Sequence, residues 1–104
     1  MLGMTEIDRE RLFDISFVPD VMKDGKIGYD TCVTWGNDHK EGHSPDRIPA
    51  EDLLVRIQAL GCSADEAAHL EPKIRAGKPC NARLTSSLRK MVNARFIYPI
   101  EHHA

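Results

Sequence analysis

A chain of 104 residues, 41% hydrophobic and 29% charged, has the size and composition of one small globular domain. That balance excludes global disorder, and no apolar run approaches the ~20 residues of a membrane span. The formal charge of −2 hides a division: residues 1–71 hold fifteen of the sixteen acids and seven basics, while residues 73–95 hold seven basics and no acid. Such a division points to an anionic partner or to a self-complementary contact.

The N-terminus, Met1 to Leu12, turns charged at Glu6 and has no apolar stretch of signal-peptide length. Met4 offers a second start, which would make Met1-Leu2-Gly3 an extension. Thr5, with Asp8 three residues on, is placed to cap a short helical turn. Phe13 to Phe17 then alternates apolar and polar residues, the period of a half-buried strand. A second alternation sets Ile27, Tyr29, Thr31, Val33 and Trp35 against Lys26, Gly28, Asp30, Cys32 and Thr34. Asp24-Gly25 lies between them and tolerates the positive φ of a tight turn, so residues 13–35 are expected to form a β-hairpin. Its register is open. A two-residue turn at Asp24-Gly25 sets Ser16 opposite Val33, whereas a one-residue bulge brings Phe17 or Ile15 there. Pro19 cannot donate to a ladder and calls for a bulge or an edge.

Residues 36–48 are polar, with Gly36, Gly42 and Pro45, and are expected to be a loop. Three helices are expected over the remainder, 49–98. The first begins at Pro49, turns Leu53, Leu54, Ile57 and Leu60 to the core, and ends at Gly61. The second begins in the capping box Ser63-Ala64-Asp65-Glu66 and stops at Gly77 and Pro79, with Pro72 kinking it or starting a new turn. The third runs from Asn81 or Leu84 to about Arg95 with an apolar stripe of Leu84, Leu88, Met91 and Val92. Phe96-Ile97-Tyr98 suggests a short strand added to the hairpin, and the tail from Glu101 is expected to be frayed. The fold class is therefore α+β: an N-terminal hairpin, with an optional third strand, packed on three C-terminal helices in one domain.

The basic segment divides in two. Lys73 and Arg75 close the second helix and complement its dipole, so they need no partner. On a third helix, Arg83, Ser86, Arg89, Lys90 and Asn93 would share one polar side, a chemistry suited to phosphates. Arg95 falls on the apolar side. A helix-turn-helix over 53–72 is disfavoured, because its second helix is acidic and stopped by Pro72.

Asp38-His39-Lys40-Glu41-Gly42-His43 is the densest set of metal ligands. His39 and His43 are four apart, but Glu41 does not occupy the second position of a zinc-protease motif and Gly42 opposes a helix. The two histidines, joined by Cys32 or Asp38, are the metal candidates, and two ligands alone fall short of the three or four that zinc takes. Cys62, just before the Ser63 cap, reads as a packing residue on Ala67 rather than a nucleophile. The cysteines are odd in number, and Cys32, Cys62 and Cys80 form no Cys-x-x-Cys pair. They fit reduced thiols in the cytoplasm. Trp35 ends its strand as a core anchor or, if exposed, an interface hot spot.

No phosphate-cradling loop, dinucleotide fingerprint or acid/base constellation stands out, so an enzyme is disfavoured and no cofactor is expected. The leading expectation is a small non-enzymatic regulatory or adaptor module that binds a protein through the hairpin, Trp35 and the polar loop. A nucleic-acid-binding module using Arg83, Ser86, Arg89, Lys90 and Asn93 is the alternative. A metal-binding protein using His39 and His43 is the third. The charge division also allows self-association.

Overall fold

The apolar residues of the hairpin can share one face only if its two strands pair in even register. In the computed structural model, which describes residues 6–98, they do. Strand β1 (Glu10–Val21) pairs antiparallel with β2 (Ile27–Trp35), setting Phe13 opposite Trp35, Ile15 opposite Val33 and Pro19 opposite Tyr29. The turn is a three-residue loop, Lys23-Asp24-Gly25. It is closed by Met22 N–H to Lys26 C=O at 2.7 Å and by Gly25 N–H to Met22 C=O at 2.9 Å. Gly25 adopts φ +86°, the left-handed residue that such loops place before the second strand. The odd loop length shifts the register by one from a two-residue turn, and Ile15 rather than Ser16 meets Val33. Phe13, Ile15, Phe17, Tyr29, Val33 and Trp35 all fall on the buried face.

Polar segment 36–48 is not all loop. It turns at Gly36–His39 and returns as β3 (Lys40–His43) on the outer side of β2, then as the two-residue β4 (Ile48–Pro49). Gly42 is the core-facing position of β3. A Cβ there would lie 2.7 Å from Ile97 Cγ2, so the missing side chain is what admits Ile97. Two helices follow, α1 (Ala50–Ala59) and α2 (Ala64–Arg75). Ser63 caps α2 by accepting from Glu66 N–H at 3.1 Å, as its capping box requires. Pro72 stands inside α2, which continues through it for another turn. Gly61 and Gly77 end the two helices at φ +91° and +71°.

Residues 80–87 depart from the expected third helix. They form β5 (Cys80–Ser87), antiparallel to β1 on the side away from β2. The helix is confined to α3 (Leu88–Asn93), capped by Ser87, which accepts from Lys90 N–H at 3.2 Å. Phe96-Ile97-Tyr98 is not a strand; Phe96 and Ile97 fill the core instead. The sheet order is β3-β2-β1-β5, with β4 also on β2. The architecture is α+β, one antiparallel sheet with three helices. No helix among the described residues is long and apolar enough to cross a membrane. The Thr5 cap and the tail from Glu101 lie outside the described residues.

Two hydroxyls on β2 tie the helical part to the buried face of the sheet. Tyr29, fully buried, donates from its Oη to Ile74 C=O at 2.9 Å, at the end of α2. Thr31 donates from Oγ1 to Phe96 C=O at 2.6 Å, just beyond α3. Phe17 meets Phe96 edge to face at 6.0 Å, between these anchors.

Tyr29→Phe should lower unfolding free energy by about 1 kcal/mol in denaturant titration, the net worth of one buried hydrogen bond. Gly42→Val must displace Ile97 and should cost about 1–3 kcal/mol, the range for overpacking a filled core. Pairing it with Ile97→Ala, which opens the space, should recover part of the loss; strictly additive losses would show that the close approach is unimportant.

Candidate functional site

One face of the sheet carries the core and helices. The other is open, and the register decides what stands on it. On β1 these are Leu12, Asp14, Ser16, Val18 and Asp20; on β2, Asp30, Cys32 and Thr34. Glu41 and His43 come from β3, and Asn81, Arg83 and Thr85 from β5. No Phe, Tyr or Trp stands among them, the one ring being the His43 imidazole, and acids outnumber bases. Arg47 reaches over Gly28 to Asp20 at 3.2 Å and Asp30 at 3.5 Å. A Cβ on Gly28 would lie 2.6 Å from Met22 Sδ and 2.7 Å from the Arg47 stem, so a side chain there would have to displace both.

The five residues expected on one basic helix face are dispersed. Arg83 stands on the open face of β5, its Nε 2.7 Å from Asp14 Oδ1. That hydrogen bond, with the charge of Asp14, raises the guanidinium pKa further. Ser86 is on the opposite, buried face of β5, with an unpaired Oγ, and is removed from any surface. Arg89 is on α3 and pairs with Asp8. Lys90 and Asn93 are exposed on α3. The helix that would have aligned all five covers only the last three.

Trp35 is a core anchor, 9% exposed and tilted against Phe13 at 5.6 Å between ring centroids. Its indole Nε1 is buried without a hydrogen-bond partner. It borders a cleft of about 450 Å³ at the end of the β1–β2 ladder, beside Arg9, Arg11 and His39. The cleft mixes these basic groups with Glu10 and Asp14, so it selects neither sign of ligand.

His39 and His43 part company. His39 closes the Gly36 turn at φ 53°, whereas His43 stands on the open face of β3. What joins His43 is Cys32 across the ladder and Glu41 two residues back, and the ligand atoms of the three lie within 4.8 Å of one another. The sequence points to Cys32 as a ligand, whereas Glu41, in the same ligand-rich segment, reads there only as a misplaced motif residue. The alternation of β3 would have found it, had 40–43 been read as a strand.

The thiols are not activated. Burial, then Glu41, pushes the Cys32 pKa up; burial, then Glu66, does the same for Cys62 despite its place before a helix. Cys80 is buried and also raised, against a smaller opposing pull from Lys73.

A second feature is an edge. Alternate residues of an antiparallel strand turn their N–H and C=O to opposite sides. Met22 bonds β2, so even residues of β1 face β2 and odd residues face β5. Ser44, bonding Thr31 from the β3 side at 3.1 Å, fits the same assignment. Cys80, Ala82, Leu84 and Ser86 are then bonded to β1, and Asn81, Arg83 and Thr85 present their backbone groups outward. Among the described residues nothing pairs with them. Pro19 lies two residues past the last β1–β5 pair, Phe17–Cys80, where its missing N–H leaves no gap in a ladder.

No family model, curated protein or solved structure matches the chain.

Proposed function

We propose that the chain is a small non-enzymatic regulatory or adaptor module that binds a protein partner by accepting an extended segment along β5. The observation that carries this reading is the unpaired outer edge of that strand, with Asn81, Arg83 and Thr85 offering their backbone groups. A row of free donors and acceptors on an eight-residue edge is a template for strand addition. Lys78 precedes the edge and Lys90 follows it, both exposed and without an ion-pair partner among the described residues. The segment that fits is therefore acidic. A second copy of β5 fits less well, because residues 73–95 contain no acid to set against Lys78 and Lys90.

Nucleic acid is the alternative. Exposed Lys73, Lys78 and Lys90 favour it, but the open face supplies no Phe, Tyr or Trp for base stacking and carries Asp14, Asp20, Asp30 and Glu41.

Thr85→Pro separates edge from fold. It removes an outward N–H and leaves the β1 ladder bonds in place, whereas Leu84→Pro removes a ladder bond and should unfold the sheet. Affinity capture from the native cell should recover a protein with the wild type and lose it with a folded Thr85→Pro variant. Lys78→Ala/Lys90→Ala should weaken the same capture and flatten its salt dependence. Equal recovery by the wild type and Thr85→Pro defeats the strand-addition reading. Steeply salt-dependent binding of non-specific nucleic acid, lost on Lys78→Ala/Lys90→Ala, would favour the alternative.

A further inference from the structure

We propose that Cys32, Glu41 and His43 form a binding site for a divalent transition-metal cation, zinc by the chemistry of the set, on the open face between β2 and β3. One thiol, one carboxylate and one imidazole are the three ligand types zinc takes.

Geometry supports the assignment. With bonds of about 2.0 Å to nitrogen and oxygen and about 2.3 Å to sulfur, tetrahedral zinc holds its ligand atoms roughly 3.3–3.6 Å apart. His43 Nε2 lies 3.3 Å from Glu41 Oε2, and Cys32 Sγ lies 3.9 Å from the same oxygen. The first separation needs no adjustment and the second a few tenths of an ångström; the third, Cys32 to His43, is within 4.8 Å, so side-chain rotation on an exposed face closes the set.

The backbone holds the set in place. Cys32 and His43 are directly opposite, and because Thr31 bonds the β3 side, Cys32–His43 is a non-hydrogen-bonded pair, the closer of the two kinds. Glu41 is two residues from His43 on the same strand face. Ser44 locks the end of the pair twice, donating its N–H to Thr31 C=O at 3.1 Å and accepting Thr31 N–H on Oγ at 3.0 Å. Ligands on paired strands are placed more firmly than ligands on a loop.

Charge supports it independently. Among the described residues, the partners of the Glu41 carboxylate are the Cys32 thiol and the His43 ring, and no Lys or Arg neutralises it. A bound cation takes Cys32 as the thiolate, and the thiol proton passes to solvent. A fourth position faces solvent and is open to water.

Cobalt(II) reports the site because a thiolate ligand gives it a charge-transfer band in the near ultraviolet. Reduced, chelator-treated protein titrated with cobalt(II) should develop this band with one equivalent and lose it when zinc is added. Cys32→Ser should abolish the band, while Cys62→Ser should keep it. His102→Ala/His103→Ala should also keep it, which excludes the histidines of the tail. His43→Ala should weaken zinc binding at least about tenfold, no less than the loss of an outer partner costs at known sites. Absence of a thiolate–cobalt band in the wild type, its survival in Cys32→Ser, or unchanged affinity in His43→Ala overturns the site.

Discussion

The even register of the β1–β2 hairpin is the constraint from which the rest follows. Phe13, Ile15 and Phe17 must share a face with Tyr29, Val33 and Trp35, and only an odd-numbered loop puts residues of equal parity opposite one another. A two-residue turn at Asp24-Gly25 would oppose odd to even and turn one set of side chains outward. The energetics are lopsided. Burying a large apolar side chain is worth about 1.5–3 kcal/mol, and three would be lost together. Glycine and proline choices in a turn move stability by only about 0.4–1 kcal/mol. The turn therefore yields to the core, and Gly25 at φ +86° lets it do so without strain.

That same parity creates both surfaces on which function is proposed. Once the odd residues of β2 are buried, Cys32 must face outward, and β3 brings His43 opposite it with Glu41 alongside. Once the odd residues of β1 bond toward β5, the even residues of β5 are consumed by the ladder and Asn81, Arg83 and Thr85 are left at the edge. The metal candidates and the strand edge lie at opposite sides of the sheet, with β1 between them. Loss of one surface therefore need not disturb the other, and variants of each can be interpreted separately.

The helices that begin at Ala50 and Ala64 were legible because their ends carry local chemistry: Ser63 caps, Gly61 and Gly77 stop. Segment 80–87 was not, because its inward residues are small. Cys80, Ala82 and Ser86 give a weak strand signal, while Leu84 and Leu88, four apart, imitate a helical stripe across what is a strand–helix junction. Two local clues favoured the strand. Thr85-Ser86-Ser87 is a run of poor helix interior residues, and Ser87 stands three before Lys90, where an N-cap belongs. The rest was tertiary: β1 offers a second bonding edge, and β5 is the segment that takes it. Glu41 was hidden for a related reason, since a four-residue strand containing Gly42 looks like a loop until Ile97 is seen filling the place of its side chain.

The division of charge along the chain also acquires a physical meaning. Of the seven basics after residue 71, Arg75 pairs with Glu71, Arg83 with Asp14, Arg89 with Asp8 and Arg95 with Asp46. All four pairs join the acidic part of the sequence to the basic part, three of them between residues far apart in the chain, so much of the asymmetry is complementarity within the molecule. Exposed pairs of this kind add little to stability, but they do occupy the guanidinium groups. The cations left without an ion pair among the described residues include Lys73, Lys78 and Lys90, and the last two flank β5. The extended partner proposed above would meet backbone groups along a strand that a lysine precedes and another follows in the sequence. On that proposal main-chain bonding would supply the contact, and the flanking charge would set a preference for an acidic segment.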